Sequence, residues 1–457
     1  MSATARPPHR GSASSGAAGV TPSRVAAAML LTDLRQGHLL DASFDRHAGP
    51  LDARDRRWVQ ELVWGMLRSR ARLDAQLSGL VRGGLAVLDA DVLDLLRMGA
   101  YQLLHMGSVP AYAAIGQTVE LSKRRHGIGA SKLVNAVLRR LDRERDTLTA
   151  QLAQQQQRGD MFDALALEYS HPRFIVQRWV QQFGEADAAR LLAVNNAAAP
   201  MVLRPHARSV EVLAAELADS GVTGTPVPLV PDSLQLDGPV ALADLGAFRQ
   251  GHFYVQDPAA TLVVQYAHVP EHAVVADLCA APGSKALELA RRARLVIAAD
   301  RSLHRVRRMQ AGFARLDSTN VLPVVADALA PSLPLMDAVL VDAPCTGTGT
   351  FRRHPDARWR LRVSDVPVLA AVQKQILKSA ATLVRPGGLL VYSTCSLEPE
   401  ENEEQVQSFL ASHPDFMLDA PPQGTVPDAV LDAGLLRVLP QRHDADGAFA
   451  ARMRRRA

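Results

Sequence analysis

The chain has 457 residues, of which 47% are hydrophobic and 21% are charged, and its formal net charge is +4. This length exceeds one ordinary hydrophobic core, so we expect two or three domains. Three cysteines cannot form a disulfide framework, no spacing resembles a zinc site, and no apolar run approaches the roughly 20 residues of a membrane span. We therefore expect a cytoplasmic protein with free thiols, without a metal and without a membrane anchor.

The N-terminal third is predicted to be helical after a disordered tail. Residues 1–21 are rich in Ser, Gly, Ala and Pro and lack the apolar segment of a signal peptide. Residues 22–148 are predicted to form an all-α domain because apolar residues recur with a period of 3.6, as in LDADVLDLLRMGAYQLLHM and RDRRWVQELVWGMLRSRARLDAQL. Asp89 or Asp91 can cap the first of these helices.

One segment of this domain is basic. ELSKRRHGIGASKLVNAVLRRLDRER, residues 120–145, contains eight basic and three acidic side chains. A charge run alone is more often a solvated helical face, and the alternative is a surface that faces RNA phosphates. The candidates for RNA binding are Lys123, Arg124, Arg125, Arg139 and Arg140.

A small mixed module is predicted between residues 160 and 255. It follows AQLAQQQQRGD, a polar segment typical of a linker or a frayed helix end. A helical stretch comes first, and the pattern then changes. PMVLRPH, DSLQLD and GHFYVQD have the character of strands, and SVEVLAAELADSG that of an amphipathic helix. We predict a helical linker followed by an α+β module.

Residues 256–457 alternate apolar strands with helices. The predicted strands are AVVADL, RLVIAAD, VLPVVAD, MDAVLVDAP and GGLLVYSTC. Nearly continuous apolar strands with helices between them indicate a parallel sheet that is covered on both faces. The predicted fold class is therefore multidomain, with an all-α domain, a small α+β module and a C-terminal Rossmann-like α/β domain.

Acidic residues follow four of these strands. Asp277, Asp300, Asp327 and Asp342 are each predicted to end a strand. In doubly wound sheets ligands bind outside the carboxyl ends of the strands, and an acid at the tip of the second strand is typical of ribose binding. One such Asp is merely a turn former, but four at one edge favour a nucleoside pocket. The loop in VVADLCAAPGSKALELA is not the dinucleotide pattern GxGxxG.

Two of the three cysteines also lie at this edge. Cys345 follows the fourth strand in DAPCTGTG, and Cys395 follows the fifth in VYSTCSLEPE. A helix is predicted to begin at Pro399, and a helix N-terminus near Cys395 would favour its thiolate. A free cysteine is more often a small buried hydrophobe. The position of both thiols at the predicted functional edge favours a chemical role.

These segments together resemble the RNA 5-methylcytosine methyltransferases, and among them the bacterial RsmB (Sun/Fmu) family, which modifies small-subunit ribosomal RNA. DLCAAPGSK resembles the S-adenosylmethionine loop, VDAPCTGTGTFRRHPDARW the Pro-Cys motif and YSTCSLEPEENE the Thr-Cys motif. AYAAIGQTVELSKRRHGIGASKLVNAVLRR is similar to a NusB-like RNA-binding domain, and DGAFAARM to the closing strand. One departure is Ser284, where the family usually has Gly.

The resemblance implies methylation of C5 of a cytosine in 16S ribosomal RNA through a covalent adduct at C6. It implies that Cys395 is the nucleophile and that Cys345 assists product release, and we assign Asp342 as the acid near N3. The implied S-adenosylmethionine contacts are Cys279, Ala280, Ala281, Pro282, Gly283, Ser284, Lys285, Asp300, Asp327 and Asp342.

Attack on the ring requires a base outside the helical stack, so we expect a cytosine in a single-stranded loop or bulge, bound by a monomeric enzyme. FRRHPDARWR offers Arg352, Arg353 and Arg358 as a phosphate clamp with Trp359 for stacking, and the alternative is a surface loop with a packed Trp.

Two other functions remain open. In DNA cytosine methyltransferases the Pro-Cys thiol attacks, and the second thiol, Cys395, argues against that class. A non-catalytic assembly factor would not need the acidic edge or both cysteines.

Overall fold

The computed structural model describes residues 19–457, which divide into two compact units at Ser170 and His171. The first 18 residues of the predicted tail lie outside the described residues. Among the described residues, no helix is both long and apolar enough to cross a bilayer.

Residues 19–170 are helical, and no strand is present among them, which confirms the all-α prediction. A 3-10 turn lies at Leu85–Val87. The helices are α1 (Pro22–Arg35), α2 (Leu40–Ala48), α3 (Ala53–Arg68), α4 (Arg70–Ser78), α5 (Ala90–His105), α6 (Ala111–Arg143), α7 (Arg145–Arg158) and α8 (Met161–Glu168).

Local sequence explains where several of these helices begin and end. Asp89 caps α5 by accepting hydrogen bonds from the backbone N–H groups of Asp91 and Val92. The predicted helix around Trp58 is in fact two helices, α3 and α4, because the backbone of Ser69 is not helical. The polar segment AQLAQQQQRGD is the last part of α7 rather than a linker, and α7 runs through the domain boundary predicted after residue 148.

Residues 171–457 begin with two helices and a small antiparallel sheet. Strand β1 pairs with β3 on one side and with β4 on the other, in the order β2-β3-β1-β4. This arrangement confirms the predicted α+β module. Its elements are α9 (Arg173–Phe183), α10 (Glu185–Asn196), β1 (Val202–Pro205), α11 (Val210–Ala218), β2 (Gly224–Val227), β3 (Val230–Leu236), α12 (Gly246–Arg249) and β4 (Phe253–Val255).

The C-terminal domain contains a nine-stranded sheet. Its helices are α13 (Pro258–Ala267), α14 (Ser284–Leu289), α15 (Leu303–Arg315), α16 (Ala357–Arg360), α17 (Asp365–Ala381), α18 (Glu403–Ser412) and α19 (Pro440–His443). Its strands are β5 (Val274–Asp277), β6 (Leu295–Asp300), β7 (Val321–Val325), β8 (Met336–Asp342), β9 (Val384–Thr394), β10 (Phe416–Leu418), β11 (Leu431–Asp432), β12 (Leu435–Val438) and β13 (Ala448–Arg455).

The strand order is β11-β12-β13-β9-β8-β5-β6-β7, with β10 also paired to β13. The strands from β9 to β7 are parallel, and β13 joins β9 in the antiparallel sense. Strand β5 lies between β6 and β8, so the direction of winding reverses there. This reversal creates a crevice outside the carboxyl ends of β5 and β8, where doubly wound folds bind ligands. The predicted Rossmann-like domain is therefore confirmed.

Two predicted element ends are wrong. Strand β7 ends at Val325, so Asp327 lies beyond the strand. Pro399–Glu401 is a separate 3-10 turn, and the helix α18 begins only at Glu403. The cause is Asn402, whose backbone is not helical and whose side chain binds Thr394 and Ser396 instead. The helix N-terminus is therefore eight residues beyond Cys395.

A buried ion pair connects the small module to α14. Arg204 of β1 donates two hydrogen bonds to Glu288 of α14, at 2.6 and 3.0 Å, and the hydroxyl of Tyr254 in β4 donates a third at 2.6 Å. All three side chains are buried. Burial opposes ionisation of Glu288, but the bonds and charge of Arg204 outweigh it and lower the pKa of Glu288.

We expect Glu288→Ala to lower the free energy of unfolding of residues 171–457 by about 3–5 kcal/mol, because it removes the buried carboxylate that pairs with Arg204 and leaves only the exposed Asp232, at 3.2 Å. Urea unfolding followed by near-ultraviolet circular dichroism measures this. The matched control is the double variant Arg204→Met, Glu288→Leu, which removes both charges and should lose much less. Equal losses in the two proteins would contradict the argument.

Candidate active site

The site is built where β8 and β9 end side by side. The two strands are parallel, and Asp342 at the end of β8 pairs in register with Ser393 of β9. Cys395 follows β9 directly, and Cys345 comes three residues after β8. Their Sγ atoms are 3.4 Å apart, within hydrogen-bond distance, and both side chains are partly buried. The prediction that both thiols lie at one edge of the sheet agrees with this arrangement.

The thiol of Cys345 holds its proton strongly. Its pKa lies well above the ordinary value, first because of its hydrogen bond to Cys395, then because of burial and the nearby charges of Cys395 and Glu401. The shift disfavours ionisation of both thiols together, and either sulfur can be the donor in the contact between them.

The carboxylate of Glu401 connects the loop that follows Cys345 to the turn that follows Cys395. Glu401 lies in the turn after Cys395 and is fully buried. It accepts hydrogen bonds from the backbone N–H of Thr346, at 3.0 Å, and from Gln373 of α17, at 2.9 Å, and it also accepts from the Thr346 hydroxyl. Burial raises the pKa of Glu401, and these bonds offset part of that effect. Because Thr346 adjoins Cys345, this carboxylate links both cysteines.

A close contact between Gly349 and Gly447 also connects these segments. The N–H of Gly349 donates to the carbonyl of Cys395 at 2.9 Å, and its carbonyl accepts from the N–H of Gly447 at 2.8 Å. A Cβ atom on Gly349 would lie 2.6 Å from the Cα of Gly447 and 2.8 Å from the carbonyl oxygen of Cys395. Only glycine fits where these three chain segments meet.

An ion pair lies beside the thiols. The ammonium of Lys285 contacts the carboxylate of Asp342 at 2.8 Å, and the hydroxyl of Ser393 donates to the other oxygen at 2.8 Å. Burial opposes the charge on Lys285, but Asp342 outweighs it and the pKa of Lys285 is raised, with Cys395 and Asp277 contributing further. Asp342 is the acceptor in both contacts.

A second carboxyl group, that of Asp277, is fully buried at the end of β5. No side chain of the described residues donates a hydrogen bond to it. Burial and then the charge of Asp342 raise the pKa of Asp277 to about 7. Cys279, the third thiol, lies two residues after Asp277. Burial raises the pKa of Cys279 to about 12, which disfavours its thiolate as a nucleophile.

The loop from Cys279 to Lys285 has the features of a ligand cradle. Its side chains are small up to Gly283, whose φ is +107° and where a Cβ would lie 2.8 Å from the ring of Phe313. The N–H of Ala280 binds the carbonyl of Ala299 in β6, which fixes the loop to the sheet. Carboxyl groups at the ends of β5, β6 and β8 can accept hydrogen bonds from hydroxyl and ammonium groups. These acceptors fit the hydroxyl and ammonium groups of a nucleoside that carries an amino acid, such as S-adenosylmethionine.

The remaining acids differ in position. Asp300 ends β6, is buried, and accepts from the N–H of Ser302 at 2.8 Å and from Arg305 at 3.2 Å. Asp327 is exposed beyond β7, and its carboxylate accepts from the N–H of Leu329 at 2.9 Å. Three of the four acids therefore end strands at the crevice, whereas Asp327 stabilises a turn.

The arginines of the predicted phosphate clamp, which follow Cys345, are bound by other groups of the protein. Arg358 is fully buried and donates to Asn195 and Asn196 of α10 and to Phe351. Arg353 pairs with Asp257 and Asp446, and Arg352 with Asp444 and the carbonyl of Ala198. These guanidinium groups bind protein carboxylates and carbonyls, so we assign Arg358 and Arg353 to structure.

The basic candidates in α6 are mostly exposed. Arg124 pairs with Glu120 and Arg140 with Glu144, while Arg139 binds Asn135. Lys123 is exposed. Arg125 differs, because its guanidinium makes two hydrogen bonds to Asp91, at 2.7 and 2.9 Å, and so serves the packing of α6 on α5.

Sequence reasoning missed the roles of Glu398 and Glu401. The sequence predicts only a helix that begins at Pro399, yet both carboxylates are fully buried and bind residues far away in the chain. The available signal was the density of acids directly after a predicted buried strand. No local pattern indicates their partners.

We expect Gly349→Ala to abolish methyl transfer, because the added Cβ meets backbone atoms of Gly447 and Cys395 that have no room to move. The matched control is Gly312→Ala in α15, where the new Cβ has no atom within 4 Å. Methyl transfer from labelled S-adenosylmethionine compares the two, and a fully active Gly349→Ala protein would show that the thiol loops are not held as described.

Comparisons with known proteins agree with this geometry. Residues 265–454 match the family described as 16S rRNA methyltransferase RsmB/F, residues 21–143 the NusB family, and residues 171–243 the RsmF/B-like ferredoxin-like domain. The solved structure of the protein PH0851 has a TM-score of 0.80 at 25% identity and covers 95% of this chain and 99% of that one. A methyltransferase homolog from Pyrococcus horikoshii has a TM-score of 0.54 at 28% identity, covering 65% and 98%.

Two curated relatives extend over most of the chain. The "Probable ribosomal RNA small subunit methyltransferase B" of Synechocystis sp. is 33% identical over 449 residues, 94% of this chain and 99% of that protein. The "Ribosomal RNA small subunit methyltransferase B" of Vibrio cholerae is 33% identical over 402 residues, 86% of this chain and 90% of that protein. With its NusB-like domain, its ferredoxin-like module and the paired thiols of its Rossmann-like domain, the chain belongs to the RsmB family of S-adenosylmethionine-dependent 16S rRNA methyltransferases.

Proposed function

We propose that this protein methylates C5 of one cytosine of 16S ribosomal RNA in the cytoplasm, through a covalent bond between Cys395 and C6 of the base. The observation that carries the proposal is the pair of thiols 3.4 Å apart at the ends of β8 and β9, of which Cys345 holds its proton. Such a pair provides one group to attack the ring and one to exchange a proton with it.

In the first step the thiolate of Cys395 forms a bond from sulfur to C6. The electron pair of the C5–C6 double bond moves toward C4, the C4–N3 pair moves to N3, and N3 takes up a proton. C5 is then the nucleophilic carbon of an enamine. The S–H group of Cys345 stabilises the attacking thiolate by donating a hydrogen bond to it. A DNA-type mechanism, in which the Pro-Cys thiol attacks, does not account for the second thiol, Cys395, beside it.

The proton for N3 comes from the pair formed by Asp342 and Lys285. Asp342 alone is the acid expected from the sequence, but Asp342 is the acceptor in its contacts with Lys285 and Ser393. In this mechanism Asp342 orients the base, and Lys285, whose pKa is raised, carries the proton.

Cys345 changes role once the adduct has formed. Two of the causes that raise its pKa are its hydrogen bond to Cys395 and the charge of Cys395, and both disappear when Cys395 becomes a thioether. The pKa of Cys345 therefore falls at the stage at which the C5 proton must leave. Cys345 gives its own proton to solvent, and its thiolate takes the C5 proton. The S–C6 bond breaks with its electron pair returning to Cys395, the C5–C6 double bond is restored, and N3 returns its proton to Lys285.

The cofactor is held by the loop from Cys279 to Lys285, with Asp300 on the ribose and Asp342 at the junction with the target base. When bound, S-adenosylmethionine supplies an electrophilic methyl group. Ser284 replaces the usual glycine with a side chain small enough for the cradle. Asp327 is the weakest assignment, because its carboxylate serves a turn.

The expected substrate is a cytosine outside a helical stack, in a single-stranded loop or bulge. The candidates for binding RNA phosphates are four exposed bases of α6, namely Lys123, Arg124, Arg139 and Arg140. Arg352 is a weaker candidate because it already pairs with Asp444. These contacts neutralise phosphates and carry no sequence information.

We expect Cys395→Ala to abolish methyl transfer to 16S ribosomal RNA, and Cys345→Ala to accumulate a covalent protein–RNA adduct because no base removes the C5 proton. Denaturing gels detect the adduct, and bisulfite sequencing of the RNA locates the methylated cytosine. Cys279→Ala is the matched thiol control and should form no adduct. Activity in Cys395→Ala, or preference for duplex DNA as acceptor, would refute the assignment.

The coupling between the thiols predicts a pH effect. Removing Cys395 in the Cys395→Ala variant deletes the hydrogen bond and the charge that raise the pKa of Cys345. The alkylation of Cys345 by iodoacetamide should then reach its half-maximal rate at a lower pH than in the unmodified protein. Mass spectrometry of the labelled peptide measures the rate from pH 6 to 10. An unchanged profile would show that the two thiols do not interact.

A further inference from the structure

Helix α9 contacts the segment that follows Cys395. Three of its side chains take part. Arg178 donates to the carboxylates of Glu398 and Glu400, the latter at 2.7 and 2.9 Å. The indole N–H of Trp179 donates to Glu398 at 3.2 Å, and Gln182 donates to the carbonyl of Leu397 at 2.9 Å. The helix therefore binds three residues, Leu397, Glu398 and Glu400, of which the first is two positions beyond Cys395.

The burial of this contact makes it specific. Glu398 and Trp179 are both fully buried. A buried carboxylate is tolerated only with partners, and Arg178 and Trp179 provide them, one for each oxygen. The segment beyond Cys395 can therefore adopt this position only where α9 is in place.

The opposite side of the same segment is held by the Cys345 loop. The N–H of Leu397 donates to the hydroxyl of Thr348 at 2.9 Å. Helix α9 also reaches that loop, because the ring of Trp179 lies 5.9 Å from the ring of Phe351. One helix outside the Rossmann-like domain thus packs against both loops that carry the thiols.

We propose that Arg178 and Trp179 are positioning residues that set the attack geometry of Cys395 through Glu398. The inference rests on the proposed role of Cys395 as the nucleophile. Neither residue is assigned a contact with RNA or cofactor, and both bind the carboxylate of Glu398, three residues beyond the thiol. A displacement of about 1 Å in a reacting group can lower a rate by about 100-fold, so a lost contact here affects the chemical step.

The test uses the full-length protein with three substitutions. Arg178→Met removes the charge, Arg178→Lys retains it, and Trp179→Phe removes only the N–H donor. The matched control is Arg190→Met in α10, whose exposed guanidinium pairs with Asp187. We expect kcat to fall at least tenfold in Arg178→Met and less in Trp179→Phe, with the KM values for S-adenosylmethionine and RNA within twofold. Arg178→Lys should recover part of the loss, and Arg190→Met should behave as the unmodified protein.

A second measurement separates positioning from general stability. In a Cys345→Ala background, the rate of adduct formation should fall by the same factor as kcat, while the thermal unfolding midpoint of Trp179→Phe stays within about 2 °C. Unchanged kcat in Arg178→Met, or a loss in Trp179→Phe that follows the unfolding midpoint, would overturn the proposal. Cys395→Ala is assayed in parallel, since activity there would refute the nucleophile itself, whereas an inactive Cys395→Ala with a fully active Arg178→Met refutes only the positioning role.

Discussion

The buried carboxylate of Glu401 is the contact on which the active-site geometry depends. It accepts hydrogen bonds from the loop of Cys345 while belonging to the turn after Cys395, so the two thiols cannot separate without exposing or orphaning a buried charge. The glycine contact at Gly349 adds a steric limit in the same place. A polar bond and a close approach together hold two cysteines at hydrogen-bond distance although 50 residues of chain separate them.

This distance has a chemical consequence. Two thiols so close cannot both ionise easily, and the proton therefore stays on one of them. The hydrogen bond to Cys395 and the charge of Cys395 raise the pKa of Cys345. In the proposed reaction both causes end once Cys395 has bonded to the ring, so Cys345 then gives up its proton more readily. One contact thus serves both halves of the proposed reaction, and the order of the steps follows from it.

The fold could be predicted from the sequence almost entirely, because periodicity and strand alternation are local signals. The acids at the ends of β5, β6 and β8 and both thiols were predictable for the same reason, since a strand end is visible in sequence. The predicted strand ended at Asp327, two residues too late, because the apolar run continues beyond Val325, the last paired residue of β7. The start of α18 was misplaced because Asn402 uses its side chain for Thr394 and Ser396, which no capping rule indicates.

The arginines show the limit of such reasoning more clearly. A cluster of arginines beside a catalytic loop is equally consistent with phosphate binding and with buried ion pairs, because the guanidinium group satisfies carboxylate, carbonyl and phosphate alike. The choice depends on whether acids such as Asp257 and Asp446 approach from distant parts of the chain, as they do for Arg353. The role of Arg178 could not be predicted for the same reason, since its acidic partners lie more than 200 residues away in the sequence. Burial and acidic partners thus account for Arg353 and Arg178, and the proposal of RNA contacts rests mainly on the exposed bases of α6.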